Sequence, residues 1–310
     1  MHPVTINRRA FLAGSGLSLG SAALNLLLAD SKQAGERPAY LLPKAKAKRV
    51  IFLCMAGGPS HLETFDYKPK LDEMNGQPMP ESFTKGQPIA QLQGQKLKVQ
   101  GHLTKFKKYG ASGQFVSDFL PWTAKMVDEI AIMRSMVTEQ INHDPAHTFM
   151  NTGTAINGRP SMGAWVNYGL GSSSKDLPGF VVMTSVGGRN PQPIASRQWG
   201  AGFLPSRHQG VEFNSAGDPV HYVRNPAGTT KETQGELVDA ITALDHHRNK
   251  IIKDPETATR IAAYEMAFRM QTSVPELMDV SKEPKHVLDM YGAKPGDGSF
   301  ASNCLLARRL

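Results

Sequence analysis

Residues 49–59 read Arg49-Val50-Ile51-Phe52-Leu53-Cys54-Met55-Ala56-Gly57-Gly58-Pro59. The run is apolar throughout its centre, β-branched at its start and closed by two glycines and a proline. Continuous apolar runs of this length are typical of strands that are buried on both faces of a parallel sheet. We therefore expect a central strand at 49–56. Its carboxyl end is where ligands bind in open α/β sheets.

Other segments extend this pattern. Apolar runs at 130–133 and 179–183 predict two further strands, and Phe115, Phe119, Trp122 and Met126 recur at helical spacing. Further helices are predicted at 147–154, from a Ser161 cap to Leu170, after Thr229-x-x-Glu232, and from Asp254-Pro255-Glu256. Strands that alternate with helices predict an α/β fold with a mainly parallel central sheet flanked by helices. The chain stops at Leu310 on an unfinished apolar helix, which favours an incomplete domain.

Composition narrows the class of protein. The chain has 310 residues, of which 40% are hydrophobic, so it is neither a disordered tail nor a multispanning membrane protein. Two cysteines cannot build a disulfide framework or a four-thiolate zinc site. The net charge of +8 comes from scattered basic residues without a nucleic-acid motif, and we expect no nucleic-acid partner.

The N-terminus has the pattern of an export signal. Asn7-Arg8-Arg9-Ala10-Phe11-Leu12 is followed by an uncharged stretch to Leu28 and by Ala29 as a cleavage position. We therefore predict a twin-arginine signal peptide at 1–29, a linker at 30–47 and one domain at 48–310. The alternative is an uncleaved anchor, but the run is short and broken by glycines, so no stable transmembrane span is expected. The predicted destination is the periplasm or the outside of the cell, and the predicted partner is the twin-arginine export machinery.

Two polar motifs follow the first two predicted strands. The first contains Ser60, His61 and Asp66, and the second contains His143 and His147. Neutral histidine and ionised carboxylates suit a divalent metal, and histidines four residues apart lie on one face of a helix. In the alternative interpretation of the first motif, Ser60 caps a short helix, and Glu63 and Asp66 face solvent. In that of the second motif, one histidine is packed and the other is exposed.

Further basic residues lie in glycine-rich and proline-rich loops. Arg189 and Arg197 there are suited to binding an oxyanion with two hydrogen bonds, although solvated loop arginines are the simpler interpretation. His208 and His221 occur in the same loops without an evident partner. The pair His246-His247 is expected to face solvent at a helix end.

Four segments together carry a family resemblance, namely the twin-arginine start, Gly57–Asp66, Met133–Met136 and His143–Gly153. They resemble a sulfatase-like domain of unknown function, family 1501, within the alkaline phosphatase superfamily. The resemblance implies an alkaline phosphatase-like fold and metal-assisted hydrolysis of sulfate or phosphate esters. It implies a divalent cation (Ca, Zn or Mg) and an anionic small-molecule or glycan ester as substrate. It makes His61 a metal ligand and Asp66 a second candidate, and it places further ligands after Leu310.

The second motif departs from the sulfatase pattern. Its register puts His143 at the position of the nucleophile and His147 at that of an arginine, and neither Cys54 nor Cys304 lies in a formylglycine context. Formylglycine chemistry is therefore not expected. His143 is then either a metal ligand or a histidine nucleophile, and Ser60 is the other candidate catalytic residue. The rival hypothesis is a binding or scaffold protein that keeps the fold without the chemistry.

Overall fold

The computed structural model describes residues 47–86, 94–186, 192–220, 224–225, 227–252 and 255–310. The predicted signal peptide, and the predicted linker up to residue 46, lie outside these ranges. None of the helices within them combines the length and apolarity that crossing a membrane requires.

The described residues form short strands and longer helices. The strands are β1 (Phe106–Tyr109), β2 (Gln114–Ser117), β3 (Val181–Val182) and β4 (Val211–Glu212). The α-helices are α1 (Pro69–Glu73), α2 (Pro121–Ala124), α3 (His143–Thr152), α4 (Met162–Leu170), α5 (Lys231–Ile252), α6 (Pro255–Met278), α7 (Lys285–Tyr291) and α8 (Phe300–Arg309). Single 3₁₀ turns lie at His61–Glu63, Glu81–Phe83, Val127–Glu129, Ser196–Trp199 and Ser206–His208.

β1 and β2 form an antiparallel hairpin, with Phe106 opposite Ser117. Gly110 and Gly113 both have positive φ in the connecting turn, and the Asp128 carboxylate accepts hydrogen bonds from the turn amides. The prediction that the pattern is helical from Phe115 is therefore wrong for its first part, and α2 is the α-helical part of the pattern. The first part is a strand, because the glycine turn directs residues 114–117 back along β1.

The apolar run at 49–56 is not a strand in the structure. Val50, Ile51, Phe52 and Leu53 have exposed fractions between 46% and 73%, and no strand hydrogen-bonds to them among the described residues. The run at 130–133 likewise forms no strand. A buried strand requires neighbours on both edges, and sequence periodicity does not supply them.

β3 and β4 are parallel, with Val181 opposite Val211 and Val182 opposite Glu212. The predicted strand at 179–183 is thus present as a two-residue strand. The mainly parallel central sheet and the alkaline phosphatase-like architecture remain predictions, because the described sheets have two strands each.

The predicted helices after residue 160 are confirmed, and local caps explain their limits. The Ser161 hydroxyl accepts a hydrogen bond from the Ala164 amide, and Gly171 follows the last residue of α4. At α5 the cap is Thr230, whose hydroxyl accepts from the Thr233 amide, instead of the predicted Thr229. Ser299 caps α8 in the same way.

Buried side chains form several separate clusters. Phe213, Met270 and Val274 join the β3–β4 pair to α6, while Leu305 and Leu306 join α8 to α7. This packing fixes the carboxyl-terminal half of the described chain. The segment 192–210 packs against this half of the chain and also against the helices that carry the candidate site.

We predict that Leu305→Ala lowers the free energy of unfolding by about 2–5 kcal/mol, because the side chain is 0% exposed and its removal leaves a cavity. Urea denaturation measures the loss. Leu244→Ala is the matched control, since Leu244 is 69% exposed on α5. Equal losses in the two variants would contradict this description of the core.

Candidate functional site

Helix α3 carries both histidines of the second motif. It begins at His143, four residues earlier than predicted, and ends before Gly153, which has a φ of 75°. Pro145 is therefore the third helical residue, and His143 lies inside the first turn instead of preceding the helix. The His143 and His147 rings meet at 88° with their centroids 6.4 Å apart. The prediction that the two rings lie on one face of a helix is confirmed.

A hydrogen bond joins the two motifs across 90 residues of sequence. The Gly57 amide donates to Nε2 of His147 at 3.2 Å. Gly57 and Gly58 have φ values of 87° and 63°, a conformation that glycine adopts without strain. A Cβ atom at residue 57 would approach the Gln192 side chain at 3.0 Å. Glycine at this position thus permits both the turn and the close approach of the Gln192 side chain.

His147 is the buried member of the pair, and its surroundings favour the neutral ring. Its exposed fraction is 8%, and burial lowers its pKa, as does the neighbouring His143, while Asp144 opposes the shift. An Nε2 atom that accepts a hydrogen bond carries no proton, so a neutral ring holds its proton on Nδ1. The alternative interpretation, with one packed and one exposed histidine, therefore matches the structure. His147 is buried and His143 is exposed.

An ion pair borders the first turn of α3. Arg197 pairs with Asp144, and both side chains are partly exposed. The 3₁₀ turn Ser196–Trp199, which carries Arg197, packs against both α3 and α4. The sequence predicts Arg197 as a candidate for binding an oxyanion. It does not predict the partner Asp144, because residues 53 positions apart share no local pattern. Arg189 and His221 lie outside the described residues.

Ser60, His61 and Asp66 lie on the turn that follows Gly57 and Gly58. Ser60 precedes the His61–Glu63 turn but makes no side-chain capping bond, and it is exposed, as is His61. The Asp66 carboxylate lies 3.1 Å from Nζ of Lys68 and is 15% exposed. The turn is stabilised by the His61 carbonyl, which accepts hydrogen bonds from the backbone amides of residues 64–66.

The predicted metal ligands are not gathered into one group here. No set of three or more His, Cys, Asp or Glu side chains in the described ranges is placed to share a metal ion. His147 Nε2 accepts from Gly57, and Asp66 is paired with Lys68. In this arrangement the residues do not form a metal centre, and the mechanism proposed below uses none. The metal roles of His61, His147 and Asp66 remain predictions.

Protonation of His147 is expected to make stability depend on pH. Its folded-state pKa lies below the ordinary 6.5, so its contribution is fully present above that value and is lost as the pH falls through the lowered one. We predict that the free energy of unfolding falls between about pH 7 and pH 5, and that His147→Gln reduces this slope. Glutamine offers an oxygen to Gly57 but does not titrate.

Urea denaturation across this pH range measures the slope. His246→Gln is the control, because His246 is exposed on α5. His147→Leu leaves the Gly57 amide without its acceptor and should cost about 1–3 kcal/mol at neutral pH. An unchanged pH slope in His147→Gln would contradict the assignment of His147 as the buried neutral histidine.

Comparison with known proteins identifies a family and goes no further. No curated protein and no solved structure matches the chain significantly. A family model described as a protein of unknown function, DUF1501, matches residues 47–310, which include the turn after Gly57, α3 and Arg197. The chain therefore belongs to the DUF1501 family.

Proposed function

We propose that this DUF1501 protein is an exported, sulfatase-like hydrolase of sulfate or phosphate esters that works without formylglycine. The observation that carries the proposal is the hydrogen bond from Gly57 to His147. It sets the turn bearing Ser60 and His61 against the helix bearing His143. The two motifs on which the sulfatase resemblance rests are thus close together in the fold.

The side chains around α3 suit an anionic ester. Arg197 carries guanidinium N–H groups that match the oxygens of sulfate or phosphate, and its partner Asp144 fixes its position at the helix. The amino end of the ten-residue helix α3 adds a positive potential beside His143. We infer that a sulfate or phosphate group binds between His143 and Arg197.

His143 is the reacting group in this proposal. An unprotonated nitrogen of its imidazole attacks the sulfur or phosphorus atom and the ester S–O or P–O bond breaks, so that the oxygen leaves as an alkoxide that takes up a proton from water. Water then cleaves the nitrogen–sulfur or nitrogen–phosphorus bond, releases sulfate or phosphate and restores the imidazole. His147 positions His143 from the next turn of the helix. Ser60, on the facing turn, is the second candidate for a catalytic role.

One observation favours a second candidate function. The Gly57 amide occupies Nε2 of His147, and that nitrogen would have to be released before it could bind a metal. A metal-assisted hydrolase that used His147 would need this release, whereas a protein that binds anionic esters without cleaving them would not. A sulfatase-like binding or scaffold protein is therefore the alternative.

Hydrolysis of aryl sulfates and aryl phosphates by the purified protein, with and without added Ca²⁺, Zn²⁺ or Mg²⁺, tests the proposal. We expect turnover that His143→Ala lowers by about 100-fold or more, because the variant loses the nucleophile. Arg197→Gln should mainly raise KM, since it removes a charge that holds the anion.

The control is His246→Ala, which removes an exposed imidazole on another helix and should retain turnover. Loss of turnover on adding a chelator would assign a metal to the reaction. Full activity in His143→Ala would contradict the catalytic assignment. Tight binding of the esters without turnover in the wild-type protein would favour the binding function.

A further inference from the structure

A row of aromatic rings lies along α4 and residues 203–208. Phe203, Trp165, Tyr168 and His208 follow one another, with centroid distances of 5.7, 6.1 and 5.3 Å between successive rings. Each pair meets nearly edge to face, at angles from 72° to 88°. Phe203 is 61% exposed, Tyr168 47% and Trp165 44%. We call these four residues the aromatic row.

The backbone holds this row in place. The Ser161 amide donates to the Gly200 carbonyl at 3.1 Å, which ties the loop bearing Phe203 to the start of α4. Gly202 has a φ of 57°, and a Cβ atom there would lie 2.5 Å from the backbone of Arg159 and Pro160. On the other side of α4, a Cβ atom at Gly163 would lie 2.4 Å from the Phe180 ring. These close approaches fix α4 and the loop relative to each other.

The aromatic row and the candidate site lie on elements that contact one another. The turn Ser196–Trp199 packs against α3 on one side and against α4 on the other, and Arg197 on this turn pairs with Asp144. The turn Ser206–His208 also packs against α4. The turn that carries Arg197 and the helix that carries Trp165 and Tyr168 are therefore in contact.

The chemistry of the row matches a carbohydrate. Sugar rings present apolar C–H faces, which pack on aromatic rings, and hydroxyl groups, which bond to polar side chains. Trp165, Tyr168 and His208 each combine a ring with a hydrogen-bonding group. Nε of Arg207 donates to Nε2 of His208 at 3.1 Å, and burial lowers the pKa of His208, so its ring is a neutral acceptor beside a positive charge. That charge favours an anionic sugar.

We propose that the aromatic row of Phe203, Trp165, Tyr168 and His208 is a binding subsite for the sugar rings of an anionic glycan, whose sulfate or phosphate ester lies at the site between His143 and Arg197. The inference rests on the proposed function for the ester end of the ligand. The substrate in this proposal is a glycan, recognised through the faces of its sugar rings as well as through its charge.

Binding of fluorescently labelled dextran sulfate, measured by anisotropy at about 0.5 M salt to screen exposed charges, tests this subsite. We expect Trp165→Ala and Phe203→Ala each to raise Kd about three- to tenfold, because each loses one ring contact. Trp165→Phe keeps a flat ring and should recover part of the affinity. Thermal unfolding followed by circular dichroism checks that each variant is folded.

Trp122→Ala is the matched control. Trp122 is 74% exposed on α2 and stacks with Lys125, so its loss should leave Kd unchanged. Failure of the wild-type protein to bind dextran sulfate, or equal Kd values in the wild type and in the variants of the row, would overturn the inference. An equal effect of Trp122→Ala would overturn it as well.

The binding assay separates this inference from the proposed function because it needs no turnover. Variant-sensitive binding by a protein that hydrolyses no aryl ester would support the subsite and contradict the hydrolase. Competition by inorganic sulfate alone, with no effect of either ring variant, would place recognition at the charged end and overturn the subsite.

Discussion

One hydrogen bond, from the Gly57 amide to Nε2 of His147, sets the geometry on which the candidate site depends. It requires a neutral imidazole as acceptor and a glycine whose backbone turns at positive φ. Burial supplies the first condition by lowering the pKa of His147. The second condition is met because residue 57 is a glycine. If either condition failed, the turn bearing Ser60 and His61 would lose this hydrogen bond to α3.

This constraint assigns different tasks to the two histidines of α3. His147 is buried and holds the two motifs together, while His143 is exposed at the amino end of the helix, near the Asp144–Arg197 pair. In the proposed function, a structural histidine and a reactive one, separated by a single helical turn, replace the formylglycine residue. The turn at Ser196–Trp199 then links this pair to the aromatic row on α4. The proposed sites for the charged group and for the sugar rings thus lie on adjoining elements.

Local signals in the sequence were sufficient for several helices. Ser161 with Gly171 limits α4, and Pro255 begins α6, because capping and proline effects act within one turn. The spacing of His143 and His147 also predicted their common face. Periodicity misled at 115–126, where the turn at Gly110 and Gly113 forms a hairpin instead of a helix. Contacts between distant residues, such as Asp144 with Arg197, leave no local pattern to read.

The most direct test of this account is the tautomer of His147, read from its ring ¹⁵N chemical shifts in a long-range ¹H–¹⁵N NMR spectrum near neutral pH. The account predicts a neutral ring with the proton on Nδ1 and an unprotonated Nε2 that accepts from Gly57. A proton on Nε2, or a charged ring at that pH, would contradict the hydrogen bond and with it the juxtaposition of the two motifs.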